Sequence, residues 1–465
     1  MRNVVLICLD TVRKDFFDSF SSRLQERADI VYDQCRTAST WSAPSHASMF
    51  TGTLPHEHGV HAYHRDFSGI GRDDTFLAEL PDHRALGVSA NVWAGSSFGF
   101  DGFFDEFSNI SPDRRFPEGI DVARFGQSCE KTGLGKQLEF LRRALEHDKP
   151  VQSLLNGAAV QVDNTLATAP VPKPMDDGAK TLIGQANRLV GASDEPFFLF
   201  TNFMDAHGPL RHILGYDGSL HDAPNSWSSE RLDWSRIVAE GNETEMTRYR
   251  DLYGAAIDYL DRKVCSFIDE VRAATDEETT FVVTSDHGDN LAFEADGGLW
   301  GHTESSLNEA LTHVPLVVVN APGEGTDVVD GYVSHLRLGD LLVGLARGER
   351  PDVTGARIPV ERIGHSGKQH KLAEQARDTN RMLRAVYDGD RKFVWADDGS
   401  RESYRLDADR PCWQAETDEP FDAESLDDSF FETPVADYAE RARSAEDELG
   451  VDGATADRLR ELGYL

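Results

Sequence analysis

The chain has 465 residues, with 47 Lys and Arg against 81 Asp and Glu, a formal net charge of −34. So acidic a surface speaks against nucleic acid and anionic membranes as partners. Because the carboxylates run along the whole length, it suits solvation in concentrated salt, the mark of a halophilic source. Cys8, Cys35, Cys129, Cys265 and Cys412 are odd in number and never in a Cys-x-x-Cys arrangement, which speaks against a disulfide framework or a zinc-thiolate site. With no signal-peptide pattern before Asp10 and no apolar run of about 18 residues, the expectation is a cytoplasmic protein without a membrane span.

Val4 to Leu9 is a short continuous apolar run, the pattern of a strand buried on both faces of a parallel sheet. It delivers Asp10, a hard oxygen ligand for a divalent cation or, alternatively, a cap for the next helix. The most informative stretch follows, Thr40 to Gly52. Ser42 stands just before Pro44 and a run of small residues that reads as a helix start. A hydroxyl held there lies in the positive field of a helix N-terminus, which suits attack on a phosphate or sulfate ester. His56, His58, His61 and His64 read as packing or solvent-facing residues.

Residues from about 110 to 190 are less regular and read as an insertion or lid, with the Pro-rich stretch Ala167 to Pro174 at its margin. Pro196 to Phe203 is a second buried strand, ending near Asp205 and His207. Residues from about 215 to 245 form a surface excursion. Tyr249 to Val271 carries apolar residues at three- and four-residue steps, an amphipathic helix. Thr280 to Ser285 is a third strand and ends in Asp286, His287 and Gly288; adjacent Asp and His at a strand end commonly serve one metal. Trp300 to Glu304 adds His302, and Val314 to Val319 is a fourth apolar strand.

Strands alternating with helices predict an α/β fold, a mostly parallel central sheet sandwiched by helices. Functional groups then gather past the carboxyl ends of the strands, where Asp10, Asp205 and Asp286 stand. The catalytic α/β domain is expected over residues 1–355. A small antiparallel α+β subdomain is expected over 356–465, with a hairpin of Met382 to Tyr387 and Lys392 to Trp395, a short strand at Tyr404 to Leu406, and a charged helical tail from about Thr433 to Leu462.

The order of Asn3 to Asp10, Ser42-Ala43-Pro44-Ser45-His46, Thr51-Gly52, Asp205-Ala206-His207, Ser285-Asp286-His287-Gly288 and Gly301-His302 resembles the sulfatase family of the alkaline phosphatase superfamily. The resemblance runs from residue 3 to about 320 and on through the C-terminal subdomain. It implies an alkaline-phosphatase-like fold and one divalent metal ion held by Asp10, Asp286 and His287, with Ser42 completing the site. It implies catalytic roles for Ser42, His46, His207 and His302: nucleophile at Ser42, anion contact at His207, proton donation to the leaving oxygen at His302. Asn91 and Asp205 would contact the substrate.

Three departures qualify what the resemblance implies. Ser42 replaces the cysteine that many sulfatases convert to formylglycine; family members either mature a serine to formylglycine or keep it unmodified. His46 stands where the family has an Arg that steadies the aldehyde hydrate. Thr11 replaces the second carboxylate of an Asp-Asp pair, which shifts the expected metal from calcium toward manganese or zinc, with magnesium also open. The leading expectation is hydrolysis of a sulfate ester of a small molecule or saccharide. The alternatives are a phosphodiesterase, phosphonate monoester hydrolase or phosphoryl-group transferase using unmodified Ser42, and a metal-binding protein without turnover. The oligomeric state stays open.

Overall fold

Apolar runs with no polar face to offer water become strands covered on both sides. The computed structural model describes every residue except 113, 130, 167–168, 170, 304, 366–379, 446–449, 463 and 465, and only the backbone of 164. Its strands are β1 (Asn3–Leu9), β2 (Ala28–Arg36), β3 (Arg84–Ser89), β4 (Glu106–Asn109), β5 (Phe197–Phe203), β6 (Thr279–Thr284), β7 (Asn290–Leu291), β8 (Trp300–Gly301), β9 (Leu316–Val319), β10 (Asp327–Ser334) and β11 (Thr354–Gly355). Nine of them form one sheet in the order β11-β10-β2-β9-β6-β1-β5-β3-β4, while β7 and β8 pair only with each other.

Strands β1, β5 and β6 are buried at every residue and run parallel at the centre. Val5, Ile7 and Leu9 pack under the helices Ala179–Gly191 and Glu243–Ala274; Val4, Leu6 and Cys8 pack under Ser42–Thr51 and Leu338–Ala346. This alternation of faces along a strand is what a two-sided helical cover requires. The register aligns Cys8 with both Asn202 and Thr284. Residues two positions past that row, Asp10 and Asp286, therefore emerge side by side at one rim.

The apolar run at Val314 to Val319 is a buried strand, but a shorter one and antiparallel to both neighbours, β2 and β6. Apolarity on both faces reports burial and leaves direction unspecified. The expected irregular insertion is largely helical: Val122–Ser128, Gly133–Glu146, Pro150–Leu166 and Ala179–Gly191. The last of these belongs to the core. Ala167, Thr168 and Pro170 of the Pro-rich stretch lie outside the described residues, as does Glu304.

Beyond the main sheet, β12 (Arg357–Ile363), β13 (Met382–Asp388), β14 (Arg391–Ala396), β15 (Arg401–Leu406) and β16 (Gln414–Thr417) form an antiparallel sheet in sequence order. The β13–β14 turn is two residues long and sets Gly389 at φ 62°, a left-handed conformation that glycine takes without strain. The expected helical tail is two helices, Val435–Ser444 and Gly453–Glu461; residues 446–449 between them lie outside the described residues. No described helix is long and apolar enough to cross a membrane.

Candidate active site and metal centre

Four segments converge on the rim above β1 and β6. The first is the turn after β1. Thr11 adopts φ 62°, a strained conformation for a β-branched residue. It is held from several sides: its N–H donates to Asp286 Oδ1 at 3.2 Å, the Tyr253 hydroxyl donates to its carbonyl at 2.6 Å, and Val12 N–H donates to Ser285 Oγ at 2.9 Å. That clamp aims Asp10 inward. One Asp10 oxygen, Oδ2, accepts from the Asn91 amide at 2.5 Å.

The second segment is the turn after β6. Asp286 Oδ1 accepts from His287 N–H at 3.0 Å, and the Asp286 carbonyl accepts from Thr37 Oγ1 at 2.7 Å. Asp10 Oδ1 and Asp286 Oδ2 are buried with no hydrogen-bond partner. One ligand atom each from Asp10, Asp286 and His287 lies within 4.8 Å of the others. Burial and the charge of Asp286 push the Asp10 carboxyl well up, while His287 and His46 hold Asp286 below the ordinary carboxylate range although burial works against it. Two buried carboxylates with orphan oxygens aimed at one point and an imidazole beside them are a donor set short of a cation. The residues present fit a divalent metal.

The third segment is the helix Ser42–Thr51. Ser42 opens it, and its Oγ lies 3.3 Å from His287 Nε2. His46, one turn on, brings its Nδ1 to 3.7 Å from Asp286 Oδ2. Its Nδ1–H donates to the Ser42 carbonyl at 2.7 Å, and its Nε2 accepts from the Asn202 amide at 2.9 Å. Burial lowers its pKa, so it is a neutral ring supporting Ser42 from behind.

The fourth is the short β7–β8 hairpin, which returns the chain so that His302 meets Asp289: His302 Nδ1–H donates to Asp289 Oδ1 at 2.9 Å. His287 and His207 each spend Nδ1–H on a backbone carbonyl, that of Gly288 at 2.8 Å and that of Gly208 respectively. Burial drives His207 to about 3 and His287 and His302 to about 4. All three rings are therefore neutral near pH 7, protonated at Nδ1, with the Nε2 lone pair free to accept. The ring centroids of His287 and His302 are 4.6 Å apart, and those of His207 and His302 are 5.1 Å apart.

The structure thus gathers Asp10, Ser42, Asp286, His287, His207 and His302. Asn91, expected to contact substrate, donates to Asp10. Asp205 turns to another group: its Oδ1 accepts from Asp177 N–H at 3.2 Å, and its pKa is pushed up by burial and by Asp176 and Asp177. Of the four other histidines near the nucleophile segment, His56 pairs with Glu361 at 2.9 Å. His58 bonds Ser48 at 3.1 Å, and His61 and His64 pair through their backbones.

Three further residues of the site are absent from the sequence-based expectations. Asp289 orients His302, and its place in Asp286-His287-Gly288-Asp289 is a usable signal. Arg362 reaches from β12 to donate to Thr40 Oγ1 at 2.7 Å and the Thr303 carbonyl at 2.8 Å, bracing the loops of Ser42 and His302. Tyr464 puts its hydroxyl 2.8 Å from His302 Nε2 and 3.4 Å from His207 Nε2. Nothing local marks either of these last two.

Among known proteins, the model of the family described as Sulfatase matches residues 2–348. The chain is 24% identical over 183 residues to the uncharacterized sulfatase YidJ of Escherichia coli (strain K12), 37% of this chain and 35% of that protein. It is 27% identical over 223 residues to the choline-sulfatase of Rhizobium meliloti (strain 1021), 46% of this chain and 42% of that protein. The chain thus spans less than half the length of the curated relatives it matches. The crystal structure of the phosphonate monoester hydrolase of Agrobacterium radiobacter shares the fold, with a TM-score of 0.59 at 16% identity over 99% of this chain and 95% of that one.

Proposed function

Because the chain belongs to the sulfatase family, we propose that it is a metal-dependent hydrolase of sulfate esters with the nucleophile at position 42, acting on a small-molecule or saccharide ester. The observation that carries this reading is Ser42 Oγ at 3.3 Å from His287 Nε2, beside the orphan oxygens of Asp10 and Asp286. Asp10, Asp286 and His287 would hold the cation, with Ser42 at its edge; this donor set suits calcium, manganese, zinc or magnesium. Bound there, a divalent cation neutralises ester oxygens and favours an ionised nucleophile.

The protein's own residues supply the rest. Ser42 sits in the first turn of its helix, in a field that favours negative charge on Oγ and on the ester. His207 and His302 present their Nε2 atoms on the far side of that hydroxyl. An arriving oxyanion is the countercharge that lets His302 carry a second proton, and Asp289 on Nδ1 stabilises that imidazolium. His302 Nε2–H then donates to the departing alcohol oxygen. Buried walls exclude water from competing for these bonds.

A second reading keeps Ser42 as a plain hydroxyl acting on phosphorus, as a phosphonate or phosphodiester hydrolase or a phosphoryl transferase. It is favoured by His46, a neutral ring spent on Ser42 and Asn202 where the family's arginine would steady an aldehyde hydrate. The likeness of fold to a phosphonate monoester hydrolase fits it too. The deciding experiment is the mass of the Ser42 peptide, joined to initial rates on paired aryl sulfate and aryl phosphonate esters in the presence of each metal. Formylglycine with faster sulfate turnover supports the first reading; intact serine with faster phosphonate turnover supports the second. Metal binding with neither activity overturns both.

A further inference from the structure

Tyr464 lies where the substrate should. Its hydroxyl donates to His302 Nε2 at 2.8 Å and stands 3.4 Å from His207 Nε2, and burial and the nearby Asp10 and Asp286 carboxylates push its pKa well up. The ring is buried, edge-on to Trp93 at 5.3 Å. An ester oxygen bound between Ser42 and His302 needs the same volume and the same nitrogen.

Helix Gly453–Glu461 is capped by Asp452 and anchored by the fully buried Leu459, with Tyr464 buried and Val451 and Leu462 half-buried on the same core. Polar contacts add to this: Thr455 to Ser97 at 2.9 Å, Gln127 to Asp457 at 2.8 Å, and Arg124 to Asp452 at 3.1 Å. Tyr464 N–H closes the segment on the Leu459 carbonyl at 2.9 Å. Beside the helix opens a cavity of about 1220 Å³ whose wall includes Asn91, Lys136 and Arg458. It gives the segment room to move aside and runs to Asn91, the partner of Asp10. A short peripheral helix with a free volume alongside is an element that can open locally, without unfolding the central sheet.

We propose that the helix Gly453–Glu461 with Tyr464 is a stopper for the active site: the Tyr464 hydroxyl occupies the place of the substrate's oxyanion beside His302 and His207, and helix and tyrosine withdraw when the anion binds. This rests on the reading of the site as an ester-hydrolase centre. Tyr464 accordingly sets apparent affinity and takes no part in the chemical step. The competent state is populated only in part, and binding is weakened by that fraction.

The test compares the parent, Tyr464→Phe and Tyr464→Ala, each loaded with manganese. Inorganic sulfate and phosphate binding is measured by calorimetry, and hydrogen exchange of residues 453–462 is followed with and without saturating anion. Removing one hydroxyl bond should tighten anion binding about fivefold to tenfold in Tyr464→Phe. Anion should also speed exchange of the segment in the parent. On whichever aryl ester the parent turns over, KM should fall by the same factor while kcat holds. Unchanged or weaker anion binding in Tyr464→Phe, or a segment better protected with anion bound, overturns the stopper and makes Tyr464 part of the occupied site. Absence of anion binding in all three proteins overturns the ester-hydrolase reading itself, and the stopper falls with it. Should Tyr464→Ala fail to fold, Tyr464→Phe alone decides between these outcomes.

Discussion

At the residue scale, Asp10 and Asp286 are placed for a ligand at the expense of the fold. Two buried carboxylates share one point, with no Lys or Arg among the main influences on either. Asp10→Asn removes that repulsion. The melting temperature of the metal-free protein should rise by a few degrees, while the stabilisation seen on titrating manganese into the parent disappears. Ser42→Ala should lower kcat more than about a hundredfold and leave the melting temperature within a degree or two. Residual activity above a hundredth of the parent would remove Ser42 from its role. His302→Ala should slow esters of poor leaving groups far more than esters of good ones, and equal losses would speak against proton donation there. Asp10, Ser42, Asp286 and His287 were legible in the sequence because each sits in a local signature, a strand end or a helix start. Tyr464 and Arg362 were not, because Tyr464 reaches His302, and Arg362 reaches the Thr303 carbonyl beside it, from more than 50 positions away along the chain.

Elements place these residues through turns that tolerate no extra atom. Gly288 follows the Asp-His pair, and a Cβ built there would come 2.0 Å from the Ala310 carbonyl oxygen. Gly288→Ala must therefore shift the turn that carries Asp286, His287 and Asp289. A loss of about 1–3 kcal/mol in urea unfolding is expected, with weaker metal binding by calorimetry. The central strands could be read from sequence because burial on both faces leaves a continuous apolar run. Strand β10 could not: six of its eight residues are partly or fully exposed, and it carries Asp327, Asp330 and Gly331. Among the helices of 122–166 one signal was there to be read. Leu134, Leu138, Leu141 and Leu145 stand at four- and three-residue steps, a helical period present in the sequence, but the stripe they form is exposed and does not join the core.

For the whole molecule, charge and the second sheet set how stability responds to solvent. A net charge of −34 repels itself at low ionic strength, so the melting temperature should climb as KCl rises from about 0.1 to 2 M. A flat profile would rule out salt adaptation. The two sheets meet over a buried network in which Glu309 bonds Arg36 at 2.9 Å, Lys392 at 3.0 Å and the Tyr387 hydroxyl at 2.6 Å. Although burial works against it, the charges of Arg36 and Lys392 hold Glu309 at about 2. Its folded pKa lies below the unfolded value, so its contribution is complete above about pH 4.5 and is lost as pH falls toward 2. Urea unfolding between pH 6 and pH 3 should show this loss in the parent, and Glu309→Gln should start less stable and fall less steeply.

Arg362 gives the second sheet a further consequence. The stretch matched to the family ends at residue 348, yet the guanidinium that ties the Thr40 loop to the Thr303 loop enters from β12, beyond that limit. An excised fragment ending there would keep every proposed cation ligand and forfeit the strut that spaces nucleophile from acid. Anyone grafting or shortening this scaffold must treat its later portion as scaffolding for chemistry, not as an appendage to be trimmed.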